Sequence, residues 1–133
     1  MNLRKKVDQA LADCRRAGQW DPKLPPDLEI ENSLCWSGSL WKRAADVLAH
    51  CERAVAGSPD DGDTRDSRGV ARALTGNRRG AAEDFRAFLE WGPANGTSEE
   101  TLAKRRQWLA EFNYGRNPLK DPATLAALRR DEL

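Results

Sequence analysis

The chain of 133 residues contains a single histidine, a single methionine and a single tyrosine, and it has no long apolar run. One histidine cannot furnish the imidazole clusters of ordinary zinc sites, so a metal centre would need carboxylates alone. A membrane span needs roughly 18 apolar residues in succession, and nothing here approaches that. Net charge is also nearly absent: 22 Lys and Arg face 21 Asp and Glu, leaving +1. Without a strong positive field there is no electrostatic case for nucleic acid or an anionic membrane as main partner. Alternating apolar and polar residues over a strand length are missing too, so no sheet is expected.

Cysteine is scarce. Cys14, Cys35 and Cys51 leave one thiol over in any pairing scheme, and their spacings match neither a zinc knuckle nor a redox pair. Reduced thiols in a cytoplasmic protein are the expectation. Arg4, Lys5 and Lys6 have no apolar stretch behind them, which argues against a signal peptide. The closing Arg130, Asp131, Glu132 and Leu133 look like a retrieval signal, which means nothing without secretory entry.

What the sequence does have is a recurring spacing. Ala10, Cys14, Ala17 and Pro22 stand four, three and five residues apart; Val47, Cys51, Ala54 and Pro59 keep those gaps, as do Ala81, Phe85, Phe88 and Pro93. Steps of three and four place the first three members on one helix face, and the proline stops the helix because it cannot donate a backbone hydrogen bond. Between the second and third sets, Asp63 to Thr75 reads as a helix with Val70, Ala71, Ala73 and Leu74 on its apolar side, closed by Gly76 and Asn77. Gly69 lets a neighbouring helix approach closely.

Gly69, Gly76, Ala81, Phe85 and Pro93 resemble the tetratricopeptide repeat, and the stretch from Asp66 to Trp91 resembles most of one unit. The resemblance covers roughly residues 31 to 130 and extends to the C-terminal repeat regions of bacterial multidomain proteins, some bearing WD-type repeats or caspase-like protease domains. It implies an all-α, right-handed helical array of about seven helices. Residues 1–31 are then an N-terminal helix, a half-repeat, with a proline-rich link, and residues 32–130 the array with C-terminal capping helices. Three departures stand out. Cys35 occupies the place of Gly69, and the early pair Gly38 and Ser39 predicts a first turn that comes soon and a second helix about one turn longer. Arg65, Arg68 and Arg72 take packing positions, so they are expected to pair with carboxylates or reach water along their stems. Beyond Pro93, a capping box of Thr97 and Glu100 opens a helix carrying Leu102, Trp108, Leu109 and Phe112. Asp121 and Pro122 open a last one with Leu125 and Leu128.

Catalytic chemistry finds no footing. His50 adjoins Cys51, but neighbouring helix residues point about 100 degrees apart, so Cys51 reads as a core thiol and His50 as a surface or boundary residue. Asp60, Asp61, Asp63 and Asp66 lack the closing glutamate of a calcium loop and read as a solvated turn at a helix N-terminus. Gly76 and Gly80 do not form a phosphate loop. Arg78, Arg79, Arg86, Lys104, Arg105 and Arg106 with five tryptophans make single-stranded nucleic acid the weaker binding alternative, because Glu83, Asp84, Glu90, Glu99 and Glu100 are interleaved among them. No cofactor is implied.

The expected function is therefore a non-catalytic protein–protein interaction module, a scaffold or adaptor that takes a peptide or partner domain. The alternative implied by the resemblance is a regulatory subunit controlling a partner enzyme such as a caspase-like protease or kinase. In the resembled family the inner groove is lined by the first helix of each pair, which maps onto Asn32, Trp36, Asp66, Val70, Lys104 and Gln107. Trp36, Trp41, Trp91 and Trp108 fall on helices or their ends; so many large rings exceed what a chain of this size buries, and at least one is expected to meet a partner. Finally, Leu3, Val7 and Leu11 give the first helix more apolar surface than one neighbour covers. That helix is expected to fold back on the array or to pair with another chain in a weak homodimer, unless it is the cut end of a longer array.

Overall fold

The computed structural model describes Lys5, Lys6, Asp8, Gln9, Leu11, Ala12 and residues 27–132. The six described residues near the N-terminus are helical. Six complete α-helices follow, and no strand occurs among the described residues. The all-helical expectation is met, with six full helices where about seven were expected.

Helix α1 spans Leu28–Leu40 and begins at Asp27, whose carboxylate accepts from the backbone amides of Glu29 and Ile30. Side-chain acceptors of this kind satisfy amides that have no partner inside the helix. α2 runs over Ala44–Gly57, and α3 over Gly62–Leu74 with Asp61 as its cap. α4, Arg78–Trp91, is capped by Asn77 and runs into a 3-10 turn, Gly92–Asn95, that holds Pro93. α5 spans Glu99–Asn113, and a second 3-10 turn, Pro118–Lys120, leads to α6, Pro122–Glu132. The cap of α5 is Ser98, whose hydroxyl accepts from the Thr101 amide, so the helix starts one residue later than the expected Thr97 and Glu100 capping box.

The first turn also departs from expectation. Gly38 and Ser39 are buried inside α1, and the chain reverses at Trp41 to Arg43, where Lys42 adopts a left-handed φ of 66°. Gly38 serves close packing instead: a Cβ there would come within 2.4 Å of the Val47 side chain. With the turn three residues late, α2 has 14 residues, as does α4, and the extra helical turn does not exist.

α1 packs against α2, α3 against α4, and α3 also against both members of the first pair. α5 lies on α4, and α6 returns to α1. The apolar stripes face inward as their spacing predicts: Val47, Cys51, Ala54, Ala81, Phe85 and Phe88 are all buried. The members of the first set, Ala10, Cys14, Ala17 and Pro22, lie outside the described residues. Phe85 meets Trp108 edge-on at 5.4 Å and stacks on Phe112 at 6.1 Å, which ties α4 to α5. Contacts of this type contribute about 0.5–1.5 kcal/mol beyond area burial. A Cβ on Gly69 would come within 2.7 Å of the Phe85 ring, so the bare glycine sets the α3–α4 distance.

Two buried clusters correct the sequence reading. Cys35 and Cys51 are joined by a disulfide that links α1 to α2, with a Cα–Cα distance of 4.9 Å. The expectation of reduced thiols fails, because the facing helices bring together two residues that are 16 apart in sequence. His50 is buried, 8% exposed, where a surface or boundary position was expected. Its Nδ1 faces the Glu31 carboxylate and lies 2.9 Å from Arg53 Nη2. The expectation for the three arginines holds. Asp84, fully buried on α4, accepts from Arg68 at 2.8 and 2.9 Å and from Arg72 at 3.2 Å, with Arg65 3.8 Å away. Burial works against the Arg68 charge, yet Asp84 and Glu52 raise its pKa above the usual arginine value.

Candidate functional site: an inner cleft between three helices

Helices α1, α3 and α5 face a common cleft of about 660 Å³. α1 contributes Asn32 and Trp36, α3 contributes Asp63, Asp66 and Ser67, and α5 contributes Thr101, Lys104 and Arg105. Trp91, from the end of α4, and Asn95, from the turn after it, form one rim, and Leu128 of α6 belongs to the lining as well. Trp91 reaches this rim because its ring lies directly on Gly62, where a Cβ would come within 2.5 Å of it.

Asp66 and Arg105 form a buried, two-pronged ion pair with N–O distances of 2.7 and 2.6 Å. The planar guanidinium matches a carboxylate in this way and so fixes α3 against α5. Arg105 also lies 4.3 Å from the Trp108 ring centroid and 5.4 Å from that of Phe88. An arginine so placed has its charge answered by Asp66 and its faces by aromatic rings. Lys104 stands 3.8 Å from Glu100 on its own helix. Burial raises the Asp63 pKa, and the nearby charges of Asp61 and Asp66 add to the rise, while Arg105 opposes it. Asn32 Oδ1 is sealed from solvent with no hydrogen-bond partner among the described residues.

Of the six residues mapped to the groove, Asn32, Trp36, Asp66 and Lys104 come together here. Gln107 lines a separate cleft of about 260 Å³ between α5 and α6, which Lys104 shares. Val70 does not belong: it is fully buried in the cluster with Leu40, Phe85 and Leu128, so no partner can reach it. Leu119 of the second 3-10 turn and Leu128 of α6 belong to the same cluster, a tertiary arrangement that helix periodicity could not reveal. Asp63, Ser67, Trp91, Asn95 and Arg105 were not anticipated. The signal for Trp91 was the excess of large rings over available core, but that excess does not say which ring lies at a rim.

Of the residues read as self-associating, Leu3 and Val7 lie outside the described residues. Leu11 is 6% exposed and packs in the cluster with Leu34, Cys35, Val47, Cys51 and Ala71. Its surface is covered by residues of this same chain. Asp8 adds a polar tie, 2.9 Å from Arg43 at the α1–α2 turn.

The basic residues do not form one face. Arg105 is spent on Asp66 and Arg106 pairs with Glu99, while Arg78, Arg79 and Arg86 lie exposed on α4. Cys51, bound to Cys35, has no thiol to offer His50. Among the described residues no group of three or more His, Cys, Asp or Glu is placed to hold a metal, and no helix is long and apolar enough to cross a membrane. No family model, no curated protein and no solved structure matches the chain.

Proposed function

We propose that the chain is a non-catalytic protein-interaction module, a short tetratricopeptide-like array whose inner cleft takes a segment of a partner protein. The observation that carries this reading is the convergence of Asn32, Trp36, Asp66 and Lys104, chosen from three different helices, on one open cleft. The array itself has independent support in the helix bounds. Those of α1 and α2 return in α3 and α4 at a constant offset of 34: 28 to 62, 40 to 74, 44 to 78 and 57 to 91. Asp27 and Asp61 cap the first helices of the two pairs, and Lys42 and Gly76 supply the left-handed residue of the two turns. Side chains that are polar at the rim with aromatic rings among them suit a peptide, since rings give contact area and polar groups give register.

The test is affinity for a partner isolated on the intact chain. Trp36→Ala and Lys104→Glu are expected to fold, as followed by circular dichroism, and to weaken binding by about tenfold or more. Variants that stay folded and keep full affinity would place the contact surface elsewhere.

A further inference from the structure

The first two hairpins repeat at an offset of 34, and the helices after them depart from it. α5 starts at Glu99, close to the 96 that the offset requires, but α6 starts at Pro122, ten residues after the 112 required of a second helix. α6 therefore does not pair with α5 as α2 pairs with α1. It packs on α1 and on the second 3-10 turn, with the cleft of about 260 Å³ between it and α5. Leu128 lines this cleft and the larger one of about 660 Å³ as well, so α6 stands between the two.

One face of α6 makes the attachment. Leu125, Leu128 and Arg129 stand three and four residues apart, on one side of the helix. Leu128 is buried in the cluster with Leu40 and Trp108, and Leu125 packs, partly buried, against the same cluster. Arg129 donates to the Leu40 carbonyl at 2.5 Å and lies 4.8 Å from the Trp41 ring centroid. Elsewhere the helix faces solvent: Pro122, Ala123 and Arg130 are exposed. The seat is also incompletely satisfied, since the Trp41 ring that carries Arg129 keeps its Nε1–H sealed with no acceptor among the described residues. An unmet buried donor weighs against the arrangement that holds it.

We infer that α6 is a strap that opens, and that the surface beneath it binds a partner helix with the same pattern, leucines at i and i+3 and arginine at i+4. Lifting Leu128 joins the two clefts, which already share Lys104, into one groove. A helix laid there sets its apolar anchors at helical spacing and its cation on the Trp41 ring. The inference rests on the interaction-module reading and adds the kind of partner and the step that admits it. Because α6 is tethered, it competes at a high effective concentration, so the partner binds the closed chain more weakly than the open one.

The probe is a labelled peptide of residues 121–133 of this chain, followed by fluorescence anisotropy on the full, disulfide-bonded chain. The double variant Leu125→Glu, Arg129→Glu loosens the strap and is expected to bind the peptide about tenfold or more tightly than the unaltered chain does. A peptide carrying Leu128→Glu is expected to bind neither. Hydrogen exchange on the unaltered chain is the second measurement and needs no variant to fold. The α6 amides are expected to exchange about tenfold or more faster than those of α3 and α4, at a rate unmoved by low urea, as local opening requires. A folded double variant that does not bind the peptide, or binds both peptides alike, overturns the strap. So does an α6 whose amides exchange only with the global unfolding of α3 and α4. Neither result touches the cleft reading, which stands or falls with Trp36 and Lys104.

Discussion

The α1–α2 and α3–α4 hairpins share their helix bounds and differ in what locks them. At the offset of 34, Cys35 corresponds to Gly69 and Cys51 to Phe85. In the second hairpin these positions touch as glycine against an aromatic ring, and in the first they touch as a disulfide. The polar clasp beside each lock is inverted as well. His50 corresponds to Asp84 and Glu31 to Arg65, so the first hairpin carries its acid on the first helix and the second carries it on the second. One backbone frame thus accepts a covalent lock or a packed one, and a buried acid on either helix, provided that the two helices keep their separation. Glu52 joins the two halves, since it reaches across from α2 to Arg68 and Arg72 on α3.

The comparison breaks most severely at the packed lock. Phe85→Ala removes a fully buried ring that also holds Trp108 and Phe112, and is expected to cost about 3–5 kcal/mol in urea unfolding. A loss under about 1 kcal/mol would mean that the second hairpin does not depend on its ring. Opening the covalent lock comes next. Reducing a bond that closes a loop of 16 residues is expected to cost about 3 kcal/mol, read as the difference between unfolding with and without reductant. Equal stability in both conditions would show the first hairpin to be held by packing alone.

How far these locks were legible in the sequence depends on the residue. The buried stripes and helix ends could be read because steps of three and four fix a face and Pro59 and Pro93 punctuate it. The disulfide was missed although the alignment of Cys35 with Gly69 already placed the cysteines on facing positions; the contact belongs to the helix pair, not to any local spacing. The first turn was misplaced because Gly38 and Ser39 look like turn residues, while the residue that takes the left-handed conformation is Lys42. In the cleft, Val70 was lost to the core, where it clusters with Leu40, Phe85, Leu119 and Leu128, a tertiary arrangement that no periodicity encodes. His50 was misjudged because its partner, Glu31, lies 19 residues away on another helix.

That misplaced turn gives a finer test of the same comparison. Gly76→Ala puts a side chain at a φ of 93° and is expected to destabilise by about 1–2 kcal/mol, whereas Lys42→Gly, which relieves a φ of 66°, is expected to stabilise by up to about 1 kcal/mol. Thermal unfolding checks both, and the same sign for the two variants would show that the turns are not equivalent.

The smallest effect concerns Asp63. An acid whose pKa is raised on folding binds its proton more tightly in the native state, so native stability falls as pH rises from the ordinary aspartate range through the folded value. Above that window the charged carboxylate is a constant deficit, and below it the deficit is gone. Asp63→Asn is therefore expected to raise stability slightly at neutral pH and not near pH 3, less whatever the α3 N-terminus gains from a negative charge. A gain that is the same at both pH values would assign the effect to something other than charge.

The most direct measurement on the interaction reading is amide hydrogen exchange of the intact chain, free and with a selected peptide bound. The account predicts slower exchange on binding in the cleft-lining segments 32–37, 63–67 and 97–105, with the outward faces of α2 and α4 unchanged. Protection confined to α2 and α4, with those three segments unaltered, would contradict it.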